Sequence, residues 1–187
     1  LEADVEILMP RVMLEKPRDY RQELLDLGCE PDHLGTVTYN PLTHRVDVSR
    51  SVYLNEQGLN RLPFAFGKVG GDFKCSGNRL VSLEGAPVEV GEYFWCFDNR
   101  LVSLEGAPTK VGGSFNCFDN RLTSLEGAPR EVGGSFECSA DGLQDVSALK
   151  RCKIEGALYL HGSKADQERV TKMLRDQGYK GSIGCLV

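Results

Sequence analysis

The chain has 187 residues, 41% of them hydrophobic and 26% charged, a balance that suits one globular domain. Its net charge of −5 argues against a nucleic-acid footprint and against an anionic membrane surface. No stretch approaches the roughly 20 apolar residues that span a bilayer, so neither nucleic acid nor membrane is expected as a partner.

Leu1-Glu-Ala-Asp4 is acidic where a secretory leader would be basic, so no signal peptide is expected, although the lack of an initiator Met leaves a trimmed leader open. Pro17 to Leu27 is predicted as a helix: Pro17 suits its first turn, Tyr20, Leu24 and Leu27 form an apolar stripe, and Gly28 ends it. Thr36 to Tyr39 and Arg45 to Val48 alternate like strands around Asn40-Pro41, which predicts a hairpin. Residues 1–48 are thus expected to be a helix and hairpin, either a cap or a separate binding element.

Residues 49–161 are organised by a repeat. Cys75, Cys96, Cys117 and Cys138 are spaced by 21, as are Phe73, Phe94, Phe115 and Phe136. Leu80, Leu101, Leu122 and Leu143 follow the same spacing, and Asn78, Asn99 and Asn120 form a series that Asp141 closes. Phe115 and Cys117 are two apart and share one face of a short strand. Asn120 follows where the chain must bend, and its amide suits the backbone groups of a neighbouring coil. Gly127-Ala-Pro129 stops the coil, and Val132-Gly-Gly134 returns it to the next strand. Val52 and Leu54 begin a degenerate first copy, while Leu158 and Leu160 belong to a degenerate last one. About six parallel strands are expected, on one side of the molecule, with irregular coil on the other.

Ser163 to Gln177 is predicted as a second helix, capped by Ser163 with Asp166 three residues on and ended by Gly178. Its Val170, Met173 and Leu174 would cover the last coil. Ile183 and Cys185 suit a final strand, and residues 162–187 form a C-terminal helical cap.

The consensus C-x-x-N-x-L-x-S-L-E-G-A-P-x-x-V-G-G-x-F resembles the short leucine-rich repeats of tailed-phage proteins over roughly residues 46 to 150. The resemblance implies an α/β repeat fold, a leucine-rich-repeat solenoid capped by flanking helices. It also implies a recognition surface, for which a phage-encoded protein that binds and modulates a host protein, such as a defence factor, is the specific expectation.

Seven cysteines, an odd number without a secretory signal, favour reduced thiols in a cytoplasm, that of the host if the chain is phage-encoded. Four cysteines in a row over adjacent strands cannot surround one zinc, so they are expected as small core residues rather than metal ligands or disulfides. If Phe and Cys point inward, Tyr53, Lys74, Trp95, Asn116, Glu137 and Tyr159 form one outward column. Asn55, Ser76, Phe97, Phe118, Ser139 and His161 form its neighbour. Tyr93, Trp95 and Phe97 then share an open face with Phe118 alongside, with Asp98 and Asp119 in equivalent positions beside it and Glu92 and Glu137 flanking it. Contiguous exposed aromatics mark a binding site, the other reading being that a flanking segment such as the N-terminal helix covers them. Asp98 and Asp119 suit a cation, a basic partner group or a solvated rim. The expected partner-binding set is Lys74, Tyr93, Trp95, Phe97, Asp98, Asn116, Phe118, Asp119 and Glu137.

His33, His44 and His161 have no nucleophile at a recognisable spacing, and the Gly-Gly pairs lack a phosphate-loop signature. The expectation is a binding protein with no cofactor and no metal. Two other classes compete with it: a structural or homo-oligomerising role through the aromatic face or a sheet end, and a small-molecule or glycan site on the aromatic face.

Overall fold

The computed structural model describes residues 18–186. Two short helices, α1 (Tyr20–Asp26) and α2 (Pro31–Leu34), precede the antiparallel hairpin of β1 (Val37–Asn40) and β2 (Arg45–Val48). Strands then alternate between two sheets: β3 (Val52–Tyr53), β4 (Phe66–Val69), β5 (Phe73–Lys74), β6 (Glu89–Val90), β7 (Phe94–Trp95), β8 (Lys110–Val111), β9 (Phe115–Asn116), β10 (Glu131–Val132), β11 (Phe136–Ser139), β12 (Lys153–Ile154) and β13 (Leu158–His161). Helix α3 (Lys164–Asp176) and strand β14 (Ile183–Leu186) follow.

The result is an α/β protein with two parallel-rich sheets of seven strands each. One sheet runs β1-β2-β4-β6-β8-β10-β12, and the other, parallel throughout, runs β14-β13-β11-β9-β7-β5-β3. The six parallel strands expected between Val52 and Leu160 are β3, β5, β7, β9, β11 and β13, with β14 as the final strand, whereas the expectation of irregular coil on the other side is corrected. The returning segments around Val90, Val111 and Val132 are themselves strands, in register one repeat apart. Each is two residues long, too short to show a period, and surface pairs such as Lys68–Glu89 (2.8 Å) and Lys110–Glu131 (3.1 Å) flank them. The expected boundary at 48/49 falls within a sheet, because β2 pairs with β4. The chain also returns after α3 to pair β14 with β13.

The spacing of 21 becomes a stack of identical layers. Phe73, Phe94, Phe115 and Phe136 are fully buried, and neighbouring rings lie 5.6, 5.4 and 4.9 Å apart. Cys75, Cys96, Cys117 and Cys138 are also fully buried, in one hydrophobic cluster with the leucines of the repeat. The Cys96 thiol donates to the Asn116 carbonyl at 3.5 Å and the Cys117 thiol to the Glu137 carbonyl at 3.3 Å, so these cysteines pack as apolar groups with a weak donor.

The asparagines lock each layer to the one before. Asn99 Oδ1 accepts from the Leu80 amide at 2.9 Å, while its Nδ2 donates to the carbonyls of Cys75 (3.0 Å) and Cys96 (3.2 Å). Asn78 and Asn120 do the same one repeat away. The Asp141 carboxylate has no N–H to donate. It accepts from the Ser163 amide at 3.3 Å, and Arg169 supplies the Ala140 carbonyl from α3 at 3.0 Å. The strand-return glycines are forced by the stacking distance: a Cβ on Gly112 would collide with the Gly91 carbonyl oxygen, and one on Gly133 with that of Gly112.

The flanks follow their local signals. Helix α1 starts at Tyr20, with Asp19 accepting from the Gln22 amide, and Pro17 lies outside the described residues. Ser163 caps α3 by accepting from Asp166, and Val170 and Leu174 are buried. Among the described residues no helix is long and apolar enough to cross a membrane.

Candidate functional site

The all-parallel sheet places its outward side chains in columns fixed by register. Trp95 pairs with Lys74 on one side and Asn116 on the other, and Glu137 pairs with Asn116 and Tyr159. Tyr93 just before β7, Trp95 on it and Phe97 after it stand on the outward face, with ring centroids 6.1 and 6.0 Å apart. Phe97 stacks on Phe118 at 5.0 Å, and Phe118 stacks on the His161 imidazole at 4.3 Å. The aromatic row therefore runs from Tyr93 to His161. Tyr93 is 43% exposed, while Trp95, Phe97 and Phe118 are half-buried against one another.

Polar networks hold both ends of this row. At one end, Lys74 Nζ lies 4.1 Å from the Trp95 ring centroid and 5.0 Å from that of Tyr53, and forms a 2.9 Å ion pair with Asp72. Asp72 is nearly buried; its carboxylate accepts from the Tyr53 hydroxyl (3.2 Å) and the Tyr93 amide (3.2 Å). Burial works to raise this carboxyl, but hydrogen bonds from Lys74, the Tyr93 amide and Tyr53 outweigh it and hold it below its usual range. At the other end, Glu137 accepts from Asn116 Nδ2 at 3.0 Å and faces His161 Nε2 at 3.2 Å.

The expected binding residues thus separate into three groups. Lys74, Tyr93, Trp95, Phe97, Phe118 and Glu137 come together on one face. Asn116 lies in the outward column but is buried, which corrects its placement as an open contact: Glu137 and the Phe118 amide occupy its side chain. Asp98 and Asp119 are exposed at the edge of the row with φ of 51° and 53°, where Glu56 and Gly77 occupy equivalent positions with φ of 56° and 66°. A left-handed turn at this point of each repeat accounts for residue types that tolerate positive φ. Beyond this turn, exposed Arg79, Arg100 and Arg121 line an open groove with Glu56, Asp98 and Asp119.

Asp72, Tyr53 and His161 are the residues that sequence reasoning left outside the site. All three stood in the outward columns or beside them, and the spacing of 21 was the available signal. Helix α1 does not cover the row: Tyr20 stacks on Tyr39 at 5.2 Å and meets Phe64 edge-on at 5.0 Å. The rest of the segment before it lies outside the described residues.

The chain matches no family model, no curated protein and no solved structure, and the site stands on its own geometry.

Proposed function

We propose that this protein is a leucine-rich-repeat solenoid whose aromatic sheet face recognises another protein. The observation that carries the reading is the contiguous row Tyr93, Trp95, Phe97, Phe118 and His161 on one face, bounded by the Lys74–Asp72 and Glu137–Asn116 networks. Rigid aromatic anchors inside a polar rim have the make-up of an interface hot spot. Two sheets stacked with a 21-residue register support the solenoid. The resemblance of the consensus to phage repeats makes a host protein, bound and modulated in the cytoplasm, the expected partner. Lys74 occupies a face of Trp95 on which a sugar ring would stack, which favours a protein over a glycan. No covalent step is assigned to the site.

The test is affinity capture with the native chain, a Tyr93→Ser/Trp95→Ser variant, and a Lys110→Ser/Glu131→Ser control on the other sheet. A partner held by the native chain and the control, and lost by the aromatic variant with its fold intact, is the expected result. A partner held equally by all three places recognition elsewhere and removes this reading.

A further inference from the structure

The two ends of the all-parallel sheet are finished differently. At the first end, the segment of α2 closes over β3. The Ser51 amide donates to the His33 carbonyl at 2.7 Å, the Cys29 thiol donates to the Tyr53 carbonyl at 3.1 Å, and the His33 ring lies edge-on to Tyr53 at 4.9 Å. At the last end, β14 is paired on one side only among the described residues.

The register shows which groups that open side presents. Leu158 pairs with Ile183 and Leu160 with Cys185, and the Leu158 amide donates to the Ser182 carbonyl at 3.0 Å. In a parallel ladder this directs the backbone of Gly184 and Leu186 toward β13, and turns the N–H and C=O of Ile183 and Cys185 outward. Among the described residues, no loop or side-chain hydrogen bond reaches those four groups. Ile183 and Cys185 also continue the columns of Leu158 and Leu160, which are fully buried. Yet Cys185 is exposed and Ile183 half-buried, because among the described residues no further layer covers them. Beside Cys185 lies an open groove lined by Lys164, Gln167, Glu168 and Thr171, and the Thr171 hydroxyl has no hydrogen-bond partner among the described residues. Edge strands are commonly protected by charge, proline or a bulge, and Ile183–Leu186 has no charged residue, no proline and an unbroken register.

We propose that β14 is the pairing strand of a symmetric homodimer, joined antiparallel to β14 of a second copy. Three features select this occupant. The strand carries no charge to repel its own copy. With Gly184 on the two-fold axis, Ile183 faces Cys185 of the second copy in both directions, and all four outward backbone groups of each copy are satisfied. Head-to-tail growth would need the β3 edge, which α2 closes, so the pairing that ends in a dimer is the one left. The glycine at this position is fixed by the fold itself, since a Cβ on Gly184 would collide with the Tyr159 ring. A four-residue strand falls short of the roughly 800 Å² per partner of a standard interface, so a weak, micromolar dimer is expected.

This inference is independent of recognition at the aromatic face. Sedimentation velocity over the micromolar range tests it, with Ile183→Pro, Cys185→Lys and Trp95→Ser as variants. Ile183→Pro removes an outward N–H and leaves the bonds to β13, and Cys185→Lys introduces charge at the interface. The expected result is a concentration-dependent dimer in the native chain and in Trp95→Ser, with both β14 variants monomeric at an unchanged melting temperature. Amide exchange at Ile183 and Cys185 in the native chain slows as the dimer forms, a readout that needs no variant. A native chain that stays monomeric overturns the proposal. So does a dimer lost on addition of reductant, since Cys185 faces Ile183 rather than its own copy, and so does a dimer lost in Trp95→Ser alone.

Discussion

The Lys74 ammonium sits 4.1 Å from the centroid of the Trp95 ring, held there by its ion pair with Asp72 at 2.9 Å. The two residues stand opposite one another on adjacent strands, so the only Trp in the chain carries a cation as an intrinsic lid. An exposed aromatic row gains from such a lid, because the cation–π contact partly compensates for the solvent left over the ring.

Replacing Lys74 by Met removes the cation and leaves the nearly buried Asp72 carboxylate without its ion-pair partner. The expected loss is about 1–2 kcal/mol, read as a lower denaturation midpoint, since a cation–π contact is worth about 0.5–1 kcal/mol and a stranded charge adds to it. Trp95 emission reports the same change locally. An unaltered spectrum and midpoint would mean that Lys74 does not rest on the ring in solution.

Acid acts through Asp72. Burial raises its carboxyl, but the bonds from Lys74, the Tyr93 amide and Tyr53 leave it lowered overall. A carboxyl lowered by folding contributes stability that is complete above its unfolded pKa of about 3.9 and is lost as pH falls through the folded value. Denaturation midpoints measured between neutral pH and pH 3 should therefore fall more steeply for the native chain than for Asp72→Asn. Parallel curves would show that the network does not form.

Thiol reactivity separates the cysteines. Burial pushes Cys75 and Cys138 up to about 12 and Cys96 and Cys117 well above the ordinary value, while Cys152, half-buried, is also raised to about 12. Cys29 is buried and raised for the same reason. Only Cys185 is exposed. An aromatic disulfide reagent at pH 8 should label one thiol rapidly in the native protein and all seven after denaturation. Fast labelling of Cys75, Cys96, Cys117 or Cys138 would contradict the packing of the cysteine column.

The asparagine ladder predicts a large effect from a small change. Asn99→Ala leaves the buried Leu80 amide without its acceptor, while the Cys75 carbonyl keeps its bond from Asn78 Nδ2. At about 1–3 kcal/mol for an unsatisfied buried group, the expected cost is about 2 kcal/mol. Asn99→Asp keeps the acceptor and loses the donor, so it should recover only part of it. Thermal denaturation of the two variants decides this.

Two glycines make a matched pair. Gly112→Ala drives a Cβ into the Gly91 carbonyl, so about 3 kcal/mol or more is expected from steric shift of the backbone. Gly58 has a φ of +68° and open space around it, so Gly58→Ala should cost only the left-handed penalty of about 1–2 kcal/mol. Equal losses would show that the stack relaxes at Gly112.

The repeat itself was legible because its side chains obey two periods at once. Alternation placed Phe115 and Cys117 inward, and the spacing of 21 placed each above its equivalent, so the core columns and the membership of Trp95, Phe97 and Phe118 in one outward face followed from residue order alone. The caps at Asp19 and Ser163 were less uniform: Ser163 is a local signal read directly, whereas α1 begins only after Asp19, which the pattern of apolar residues did not mark. Tertiary structure decided what local order cannot encode. Glu89-Val90 and its equivalents are too short to carry a strand period, and they become a sheet only when stacking brings copies into hydrogen-bond reach. The burial of Asn116 under Glu137, the Lys74 lid on Trp95 and the stacking of Phe118 on His161 each depend on strand register and on a side chain from a different layer. Composition and spacing determined which residues share a face. Which of them remain open on it was decided by contacts between layers, where the energy of covering a ring or satisfying an amide depends on distance.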